Sequence, residues 1–318
     1  MLHTQICDIL NIQYPIILGG MVWVGKADLV AAVSDAGGLG LLGAGSMTVQ
    51  DIENETSIIQ KKTGKPFGVN IPLVRPDAMD LIDAALSCGA SVISTSSGNP
   101  KAFTQMVHDR GGKVIHVVSS VKFAKKCESA GVDIIVAEGF EAGGHNGFDE
   151  ITTMALTPQV VDAVNTPVVT AGGIADGRGM IAALALGAQG IQMGTRFVAT
   201  KESAAHDNVK NAILHMSDDG TCITGRTTVG PTRCLKNNIT VCIASEEQKG
   251  TSPEKLNEII GAGRSLAGFV EGDCDAGSIY CGQIGGAVRH LKSAKEVVLE
   301  VVSEAERVIL SMNKFFER

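Results

Sequence analysis

His145 is the residue whose type and surroundings most strongly favour chemistry. It lies in the segment 141–147, EAGGHNG, where glycines on both sides leave the ring room to reach a ligand. An imidazole titrates near neutral pH and can donate or accept a proton during a reaction. A histidine in a loop can also be exposed and inert, but the glycine-rich setting favours proton handling. We therefore predict His145 as the catalytic residue.

Two further glycine-containing segments could bind a phosphate group. Gly172 and Gly173 lie in the sequence AGGI, and Gly194 and Thr195 lie in QMGTR. Glycine lets backbone N–H groups approach phosphate oxygens closely, a threonine hydroxyl adds a donor, and a following helix directs the positive end of its dipole at the anion. Either segment alone could be an ordinary tight turn. Together they predict a phosphate-bearing cofactor bound by Gly172, Gly173, Gln192, Met193, Gly194 and Thr195.

Other residues are candidates for the remainder of this cofactor site. Gly20 and Met21 offer exposed backbone against which a flat isoalloxazine ring could lie. Asn70 could hydrogen-bond that ring, although a buried Asn is often only a structural cap. Gly143 and Gly144 are also assigned to the cofactor.

Three polar residues could bind cofactor, substrate or an ion. Glu138 is assigned to the cofactor site, with an internal salt bridge as the alternative. Asn99 precedes Pro100, so a plain Asn-Pro turn is the alternative to a substrate contact. His116 is assigned to substrate, with a hydrogen-bonded interior histidine as the alternative. No metal site is predicted, because no His or Cys has ligand spacing.

Short apolar segments that alternate with amphipathic ones must position these residues. Eight strands are predicted at 15–21, 39–45, 66–73, 91–98, 113–120, 132–139, 167–174 and 190–198. Helices are predicted at 27–36, 76–88, 121–130 and 177–186, since apolar residues recur there at spacings of three and four.

This alternation predicts an α/β fold, a (β/α)8 TIM barrel with a small second subdomain after strand eight. An open doubly wound sheet is the structural alternative, because it alternates in the same way. The longest interval between strand starts, 167 − 132 = 35 residues, contains His145. Barrel active sites lie at the carboxyl ends of the strands, with phosphate at the seventh and eighth loops. The candidate residues are expected there.

Three regions are predicted along the chain. Residues 1–200 form a cofactor-binding barrel, 201–265 a small irregular subdomain, and 266–318 C-terminal helices that pack back on the barrel. The polar segment 201–250 lacks the strand rhythm. Helical periodicity returns at 253–262 and from residue 292, with an apolar stripe formed by Val297, Val298, Val301, Val302 and Val308.

Composition excludes several classes of function. The 318 residues include 27 Lys and Arg against 34 Asp and Glu, a net charge of −7 without like-charge runs, so nucleic acid is not an expected partner. No apolar run reaches the length of about 18 residues that a membrane span needs. No secretory signal is recognised, and the eight cysteines form no C-x-x-C pair. A cytoplasmic protein with reduced thiols is expected.

No dinucleotide-binding fingerprint follows the first predicted strand. The sequence GAGSMT at 43–48 lacks the third glycine of that motif. A nicotinamide cofactor, if used, must therefore bind transiently against the flavin rather than in a domain of its own.

Several motifs in order resemble the nitronate monooxygenase family, and within it the bacterial FMN-dependent enoyl-acyl-carrier-protein reductase II group, known as FabK. They cover nearly the whole chain: PIILGGM at 15–21, AGGLG at 36–40, PFGVN at 66–70, AEGFEAGGH at 137–145, AGGIA at 171–175 and MGTRF at 193–197. Arg233, Lys236-Asn237, Glu271-Gly272-Asp273 and Gly282-Gln283 are similar to the reductase group.

The resemblance implies an FMN barrel in which the histidine matching His145 is functional. For the reductases it implies hydride transfer from NADPH or NADH to the flavin and then to the β-carbon of a trans-2-enoyl thioester, linked to acyl carrier protein or CoA. Arg233 and Lys236 could meet the acidic carrier protein, or be ordinary solvated charges. A homodimer is implied, and a monovalent cation is left open. The alternatives are oxidation of alkyl nitronates with O2 and a flavin-binding module without turnover.

Overall fold

The computed structural model describes residues 2–315. Its strands, numbered in chain order, are Ile16–Leu18 (β1), Gly40–Gly43 (β2), Phe67–Pro72 (β3), Val92–Ser96 (β4), Lys113–Val118 (β5), Ile134–Glu138 (β6), Gly144–His145 (β7), Val168–Ala171 (β8), Gly190–Met193 (β9), Thr221–Thr224 (β10) and Thr232–Leu235 (β11). All eight predicted strands are present, each shorter than or equal to its predicted segment. β8 and β9 are the seventh and eighth barrel strands, because β7 lies in the long loop after β6.

Eight parallel strands close into a barrel in the order β1-β9-β8-β6-β5-β4-β3-β2. β1 also bridges to β2 through Ile17 and Leu39. Leu18 N donates to Leu39 O and Leu39 N donates to Ile16 O, both at 2.9 Å. These bonds join the two ends of the sheet. The predicted (β/α)8 barrel is therefore confirmed, and the open-sheet alternative is wrong.

Alternation along the strands separates two apolar clusters. Ile115, Ile134 and Val136 belong to a cluster with apolar residues from the N-terminal segment 6–12, whereas Ile135 belongs to the larger cluster that includes the outer helices. The first cluster fills the barrel interior, and the second lies between the strands and the surrounding helices. Alternate residues of a strand thus face opposite sides, and only those that face the interior can reach the open carboxyl end of the barrel, here called the barrel mouth.

The helices are Gln5–Leu10 (α1), Ala27–Asp35 (α2), Val49–Lys62 (α3), Ala78–Ser87 (α4), Lys101–Asp109 (α5), Val121–Ser129 (α6), Thr153–Val161 (α7), Gly177–Ala185 (α8), Thr195–Val198 (α9), Asp207–Leu214 (α10), Asn238–Gln248 (α11), Pro253–Ile260 (α12), Arg264–Phe269 (α13) and Ala294–Asn313 (α14). Short 3-10 helices occupy Ala44–Ser46 and Gln283–Ala287. The six helices predicted by periodicity all form. None of the helices in residues 2–315 is long and apolar enough to cross a membrane.

The segment 201–250 is more regular than its polar composition predicts. It contains α10, the antiparallel hairpin β10–β11 and α11. Asn237 caps α11 reciprocally with Thr240, which makes a polar sequence start a helix at a defined residue. The four residues of β11 are all buried, so this strand lacks the polar–apolar alternation by which a half-buried strand is recognised.

The C-terminal helix α14 packs back on the barrel. Val297, Val298, Val301 and Val302 are buried, and Val308 packs against the same core, which confirms the predicted apolar stripe. Glu304 accepts a hydrogen bond from the Gly177 N–H at the start of α8 (2.9 Å). The predicted C-terminal region extends to residues 316–318, which lie outside the described residues.

Candidate active site

A cavity of about 1660 Å³ opens at the carboxyl ends of the barrel strands. Its walls come from nearly every loop at this end, from β7 and from the segment 280–284. Fourteen of the fifteen predicted site residues line it: Gly20, Met21, Asn70, Asn99, His116, Glu138, Gly143, Gly144, His145, Gly172, Gly173, Gln192, Gly194 and Thr195. The candidates spread over the chain thus line one continuous cavity.

Met193 is the predicted cofactor residue that does not line this cavity. Its side chain is only 1% exposed and packs in the outer core cluster. Residue parity explains this, because neighbouring Gln192 points into the barrel mouth and successive side chains of a strand face opposite sides. The backbone of Met193 is also engaged, since its carbonyl oxygen accepts from Gly19 N at 2.9 Å.

His145 lies in β7, which pairs with the hairpin strand β11. Gly144 is opposite Arg233 and His145 is opposite Thr232 in antiparallel register. The imidazole reaches solvent, but the protein around the cavity partly desolvates it and lowers its pKa below the usual value. The ring is therefore neutral at pH 7, and it can donate or accept one hydrogen bond with each nitrogen according to its tautomer.

Arg233 holds the chain before His145 in place. Its Nε and Nη2 donate to the Phe140 carbonyl oxygen at 3.1 and 2.9 Å, and its Nη1 donates to Thr221 Oγ1 at 3.1 Å. The guanidinium also lies 4.9 Å from the centroid of the Phe140 ring. The side chain is buried, which lowers its pKa but leaves it charged at neutral pH. Arg233 is thus a brace for the His145 loop, and the predicted contact with a carrier protein is wrong for this residue.

A second brace connects the sixth and seventh loops. Glu141 accepts from the N–H and hydroxyl of Thr153 at 2.7 and 2.8 Å, and the Thr153 hydroxyl lies 3.0 Å from the Gly172 carbonyl oxygen. Gly172 has a φ of +89°, and a Cβ there would lie 2.7 Å from the Gly139 carbonyl oxygen. The loop therefore needs glycine for its own geometry, as well as for any close approach to a ligand.

The helix after Gly173 has its first N–H groups occupied. Asp176 caps α8 by accepting from the N–H groups of Arg178 and Gly179, at 3.0 and 3.1 Å. The helix dipole expected to assist phosphate binding in the seventh loop is thus already compensated by a carboxylate. The eighth loop differs, because a Cβ on Gly194 would meet only Met21 Sδ, at 3.5 Å. A phosphate at this end of the barrel would therefore be contacted by backbone N–H groups of the seventh and eighth loops.

Buried polar atoms at the mouth fit a cofactor. Gln192 Oε1 is buried and has no hydrogen-bond partner among residues 2–315. A buried acceptor without a partner is costly, so a donor group from a ligand would stabilise this arrangement. Asn70 lies beside Gly20 and accepts from Ser94 Oγ at 3.1 Å, and a Cβ on Gly20 would lie 2.2 Å from Asn70 Cγ. Gly20 therefore lets the first loop and Asn70 meet at the cavity wall.

Glu138 ends β6 on the inner side of the barrel, beside the cavity. Desolvation raises the pKa of its carboxyl to about 7. None of the described ion pairs includes Glu138, so the predicted alternative of an internal salt bridge is wrong. With its pKa raised this far, the carboxyl could donate a hydrogen bond in its protonated form or accept one when ionised. Within residues 2–315, no group of three or more His, Cys, Asp or Glu side chains is arranged to hold a metal ion.

His116 and Asn99 have local partners that agree with their structural alternatives. His116 follows Ile115, which faces the interior, and so lies on the outer face of β5, with its Nδ1 2.7 Å from Thr95 Oγ1. Burial lowers the pKa of His116 to about 4, so this ring stays neutral. Asn99 Oδ1 accepts from Lys101 N at 3.1 Å, as in an Asx turn. His116 is therefore not brought beside His145 on the inner side.

Two residues at the site were not predicted from sequence. Tyr280 lines the cavity with its ring centroid 6.1 Å from that of His145. Asn146 donates to the carbonyl oxygens of Ala142 and Gly144, but its buried Oδ1 has no partner among the described residues. The position of Asn146 directly after His145 was a signal for it, whereas Tyr280 is placed only by tertiary packing.

Comparisons with known proteins agree with this geometry. The sequence model of the nitronate monooxygenase family matches residues 3–304. The chain is similar to the solved structure of FabK from Thermotoga maritima, with 40% identity, 99% of this chain and 100% of that chain covered, and a TM-score of 0.95. A probable nitronate monooxygenase of Staphylococcus saprophyticus is 33% identical, with 97% and 99% covered.

A third relative is named for a CoA-linked substrate. The (3aS,4S,5R,7aS)-5-hydroxy-7a-methyl-1-oxo-octahydro-1H-indene-4-carboxyl-CoA dehydrogenase of Mycobacterium tuberculosis is 32% identical, with 96% of each chain covered. The closed barrel, its mouth and these relatives define the class, a flavin-dependent oxidoreductase. Within that class, the chain belongs to the nitronate monooxygenase family.

Proposed function

We propose that this protein is an FMN-dependent enoyl-thioester reductase, which uses NADPH or NADH to reduce a trans-2-enoyl group carried by acyl carrier protein or CoA. The observation that carries the proposal is the whole-chain similarity to FabK from Thermotoga maritima, at 40% identity and a TM-score of 0.95. It agrees with the motifs of the reductase group in the sequence.

The residues at the mouth supply suitable contacts for FMN. The loops at Gly172, Gly173 and Gly194 would hold its phosphate, while Asn70 and the unpartnered Gln192 Oε1 would meet its ring. When bound, FMN supplies a centre that accepts a hydride from the nicotinamide and delivers it to the β-carbon. The protein must then orient the enoyl group and provide for protonation of the α-carbon.

His145 would serve the first task. Because its pKa is lowered, the neutral imidazole would donate an N–H hydrogen bond to the thioester carbonyl oxygen, where negative charge develops as the β-carbon is reduced. The solvent-exposed side of the cavity would supply the α-carbon proton. Asn146 Oδ1, buried and without a partner in the described chain, could accept from an amide N–H of the substrate arm.

Oxidation of alkyl nitronates is the second candidate function. The similarity to a probable nitronate monooxygenase of Staphylococcus saprophyticus, at 33% identity, supports it. The same neutral His145 could accept a proton from a nitroalkane or hydrogen-bond a nitronate, with O2 as the electron acceptor. This chemistry needs neither a nicotinamide nor a thioester site.

Anaerobic flavin reduction distinguishes the two candidates. The purified yellow protein is mixed with NADH or NADPH and then with a trans-2-enoyl thioester, while the flavin absorbance is followed. Bleaching by a nicotinamide and recovery on addition of the thioester is the expected result. Reduction by an alkyl nitronate, with no bleaching by either nucleotide, would instead establish the monooxygenase. A flavin that responds to none of these would indicate a binding module without turnover.

Three accompanying expectations stay predictions. A homodimer can be checked by light scattering of the purified protein. A monovalent cation requirement can be checked by comparing turnover in K⁺ with turnover in a tetraalkylammonium salt. A cytoplasmic location can be checked by cell fractionation.

A further inference from the structure

Four lysines lie on two consecutive barrel helices, at or near the wall of the cavity. Lys101 begins α5, and Lys122, Lys125 and Lys126 lie on α6; all four are exposed, and three of them line the cavity. In a (β/α)8 barrel each helix starts at the end where the active site opens, because it follows the carboxyl end of a strand. We name these four residues the basic rim.

Two charges of the basic rim are unfavourable within the chain itself, whereas Lys126 lies in the last turn of α6, where the helix dipole favours a cation. Lys101 and Lys122 lie in first helical turns, where the helix dipole is positive, and neither turn contains an acidic residue. Lys122 and Lys126 are four residues apart, a spacing at which like charges repel. None of the ion pairs formed by lysines in the described part of the chain includes these four.

The basic rim also stands out against the rest of the molecule. The whole chain has a net charge of −7, so four neighbouring unpaired cations form a local exception. The acidic residue on α6, Glu128, is engaged by the backbone N–H groups of Asn165 and Thr166, at 2.5 and 3.2 Å. A feature that costs stability locally and has no partner in the chain indicates a partner outside it.

Exposed apolar side chains accompany these charges. Phe123 is 48% exposed and Val74 is 74% exposed, and both line the same cavity. The Lys126 ammonium lies 5.7 Å from the centroid of the Phe123 ring, so charge and apolar surface are adjacent. Apolar groups surrounded by charges are typical of a surface that binds a folded protein.

Lys236, the other residue predicted to meet a carrier protein, is less suitable than the basic rim. It forms an ion pair with Asp219 at 3.0 Å and does not line the cavity. Its charge is therefore already compensated. Together with the burial of Arg233, this moves the expected docking surface from the hairpin to α5 and α6.

We propose that the basic rim docks a small acidic carrier protein, which presents the enoyl thioester on a flexible arm reaching into the cavity. This inference rests on the proposed reductase function. A free CoA ester would bring a few phosphate charges to one point. The cationic surface instead covers two helices with exposed apolar groups between them, which fits the acidic face of a folded domain better.

The test compares carrier-linked and small substrates on the flavin-loaded enzyme. The triple variant Lys122→Glu, Lys125→Glu, Lys126→Glu is compared with Lys61→Glu, Lys65→Glu, Lys255→Glu, which reverses three exposed charges away from the cavity. The substrates are the same trans-2-enoyl group on acyl carrier protein, on CoA and on N-acetylcysteamine. Steady-state KM and kcat are measured at low and at high salt.

We expect the rim variant to raise KM for the carrier-linked substrate on the order of tenfold at low salt, since reversed charges repel an acidic partner. The N-acetylcysteamine substrate should be unaffected, and so should the control variant with all three substrates. An unchanged KM for the carrier-linked substrate, or a rise confined to the CoA ester, overturns the proposal. If the wild-type enzyme reduces none of the three thioesters, the proposed function itself fails, which is a separate result.

Discussion

At the scale of single residues, the site contains ionisable groups whose charged forms are disfavoured by desolvation. His145 reaches solvent, but its lowered pKa makes the neutral imidazole the form present at pH 7. Glu138 has a pKa raised to about 7 by desolvation alone, without a cationic partner. The site therefore offers a flavin hydrogen-bonding groups with little fixed charge at the barrel mouth.

Replacement of His145 tests its proposed role directly. His145→Ala should retain flavin and lower kcat by a factor on the order of 10² to 10³, because an oriented donor to the developing negative charge is lost. In the wild type, kcat should not fall as the pH drops through the lowered pKa of this ring, because the imidazolium donates the same hydrogen bond to the developing negative charge more strongly. Flavin content and a pH profile of kcat measure both effects.

The matched control for this substitution is His215→Ala, which alters an exposed histidine outside the cavity. It should behave as the wild type. A fully active His145→Ala enzyme would refute the assignment.

Glu138 should make the stability of the flavin-free protein depend on pH. Its folded pKa of about 7 lies above the ordinary value of 4.5, so the folded state binds more protons and this contribution to stability is lost as pH rises through 7. Glu138→Gln removes that loss and should raise the free energy of unfolding at pH 8 by about 1 to 3 kcal/mol, relative to its effect at pH 5.

Urea denaturation of the variant and the wild type at both pH values provides the measurement. Glu258→Gln, at an exposed position of α12, is the control and should show no such difference. An equal effect of Glu138→Gln at pH 5 and pH 8 would mean that the carboxyl is not desolvated.

At the scale of elements, the hairpin β10–β11 makes a loop residue behave as part of a sheet. β7 has only two residues, and its pairing with β11 holds the His145 backbone in place. The two hydrogen bonds from the Arg233 guanidinium to the Phe140 carbonyl oxygen, here called the Arg233 fork, hold the chain that precedes it. A site on a paired strand keeps its geometry better than one on a free loop.

Arg233→Lys should weaken this support while keeping the charge. A lysine cannot reproduce the two bonds from one guanidinium to the Phe140 carbonyl, so we expect kcat to fall on the order of tenfold with flavin content unchanged. The control is Arg226→Lys, which changes an arginine paired with Glu150 at the protein surface. Equal kcat values for the two variants would show that the Arg233 fork does not position His145.

The barrel strands and the hairpin differ in how well local sequence patterns predict them. The barrel strands were predictable, since each is an apolar segment that ends in small or polar residues. The hairpin was not, because β11 is buried on both faces and β7 is too short to show any periodicity. Pairing between residues so far apart in the chain is a tertiary property that local patterns do not contain.

At the scale of the whole molecule, barrel closure brings most of the predicted residues to one cavity. Knowing the fold class was enough to collect them, because all the loops that follow the strands open on the same side. It was not enough to orient them: Met193 and His116 face away from the interior by strand parity. The basic rim also escaped prediction, since its lysines lie on two helices joined only through the fold.

The molecule as a whole should be stabilised by the cofactor through its phosphate. Added to flavin-free protein at 100 times its Kd, FMN should raise the free energy of unfolding by about 2.7 kcal/mol. Riboflavin at the same concentration should raise it less, because it lacks the group assigned to the loops at Gly172, Gly173 and Gly194. Thermal unfolding with each ligand measures the difference, and equal shifts would argue against phosphate binding there.

The brace between Arg233 and Phe140 joins residues 93 positions apart in the chain. On the ribosome, all eight barrel strands are therefore synthesised before the hairpin that fixes His145. A nascent chain can begin to close its barrel while the loop bearing its proposed catalytic residue still lacks support. The support of the His145 loop is thus acquired only after every barrel strand has been synthesised.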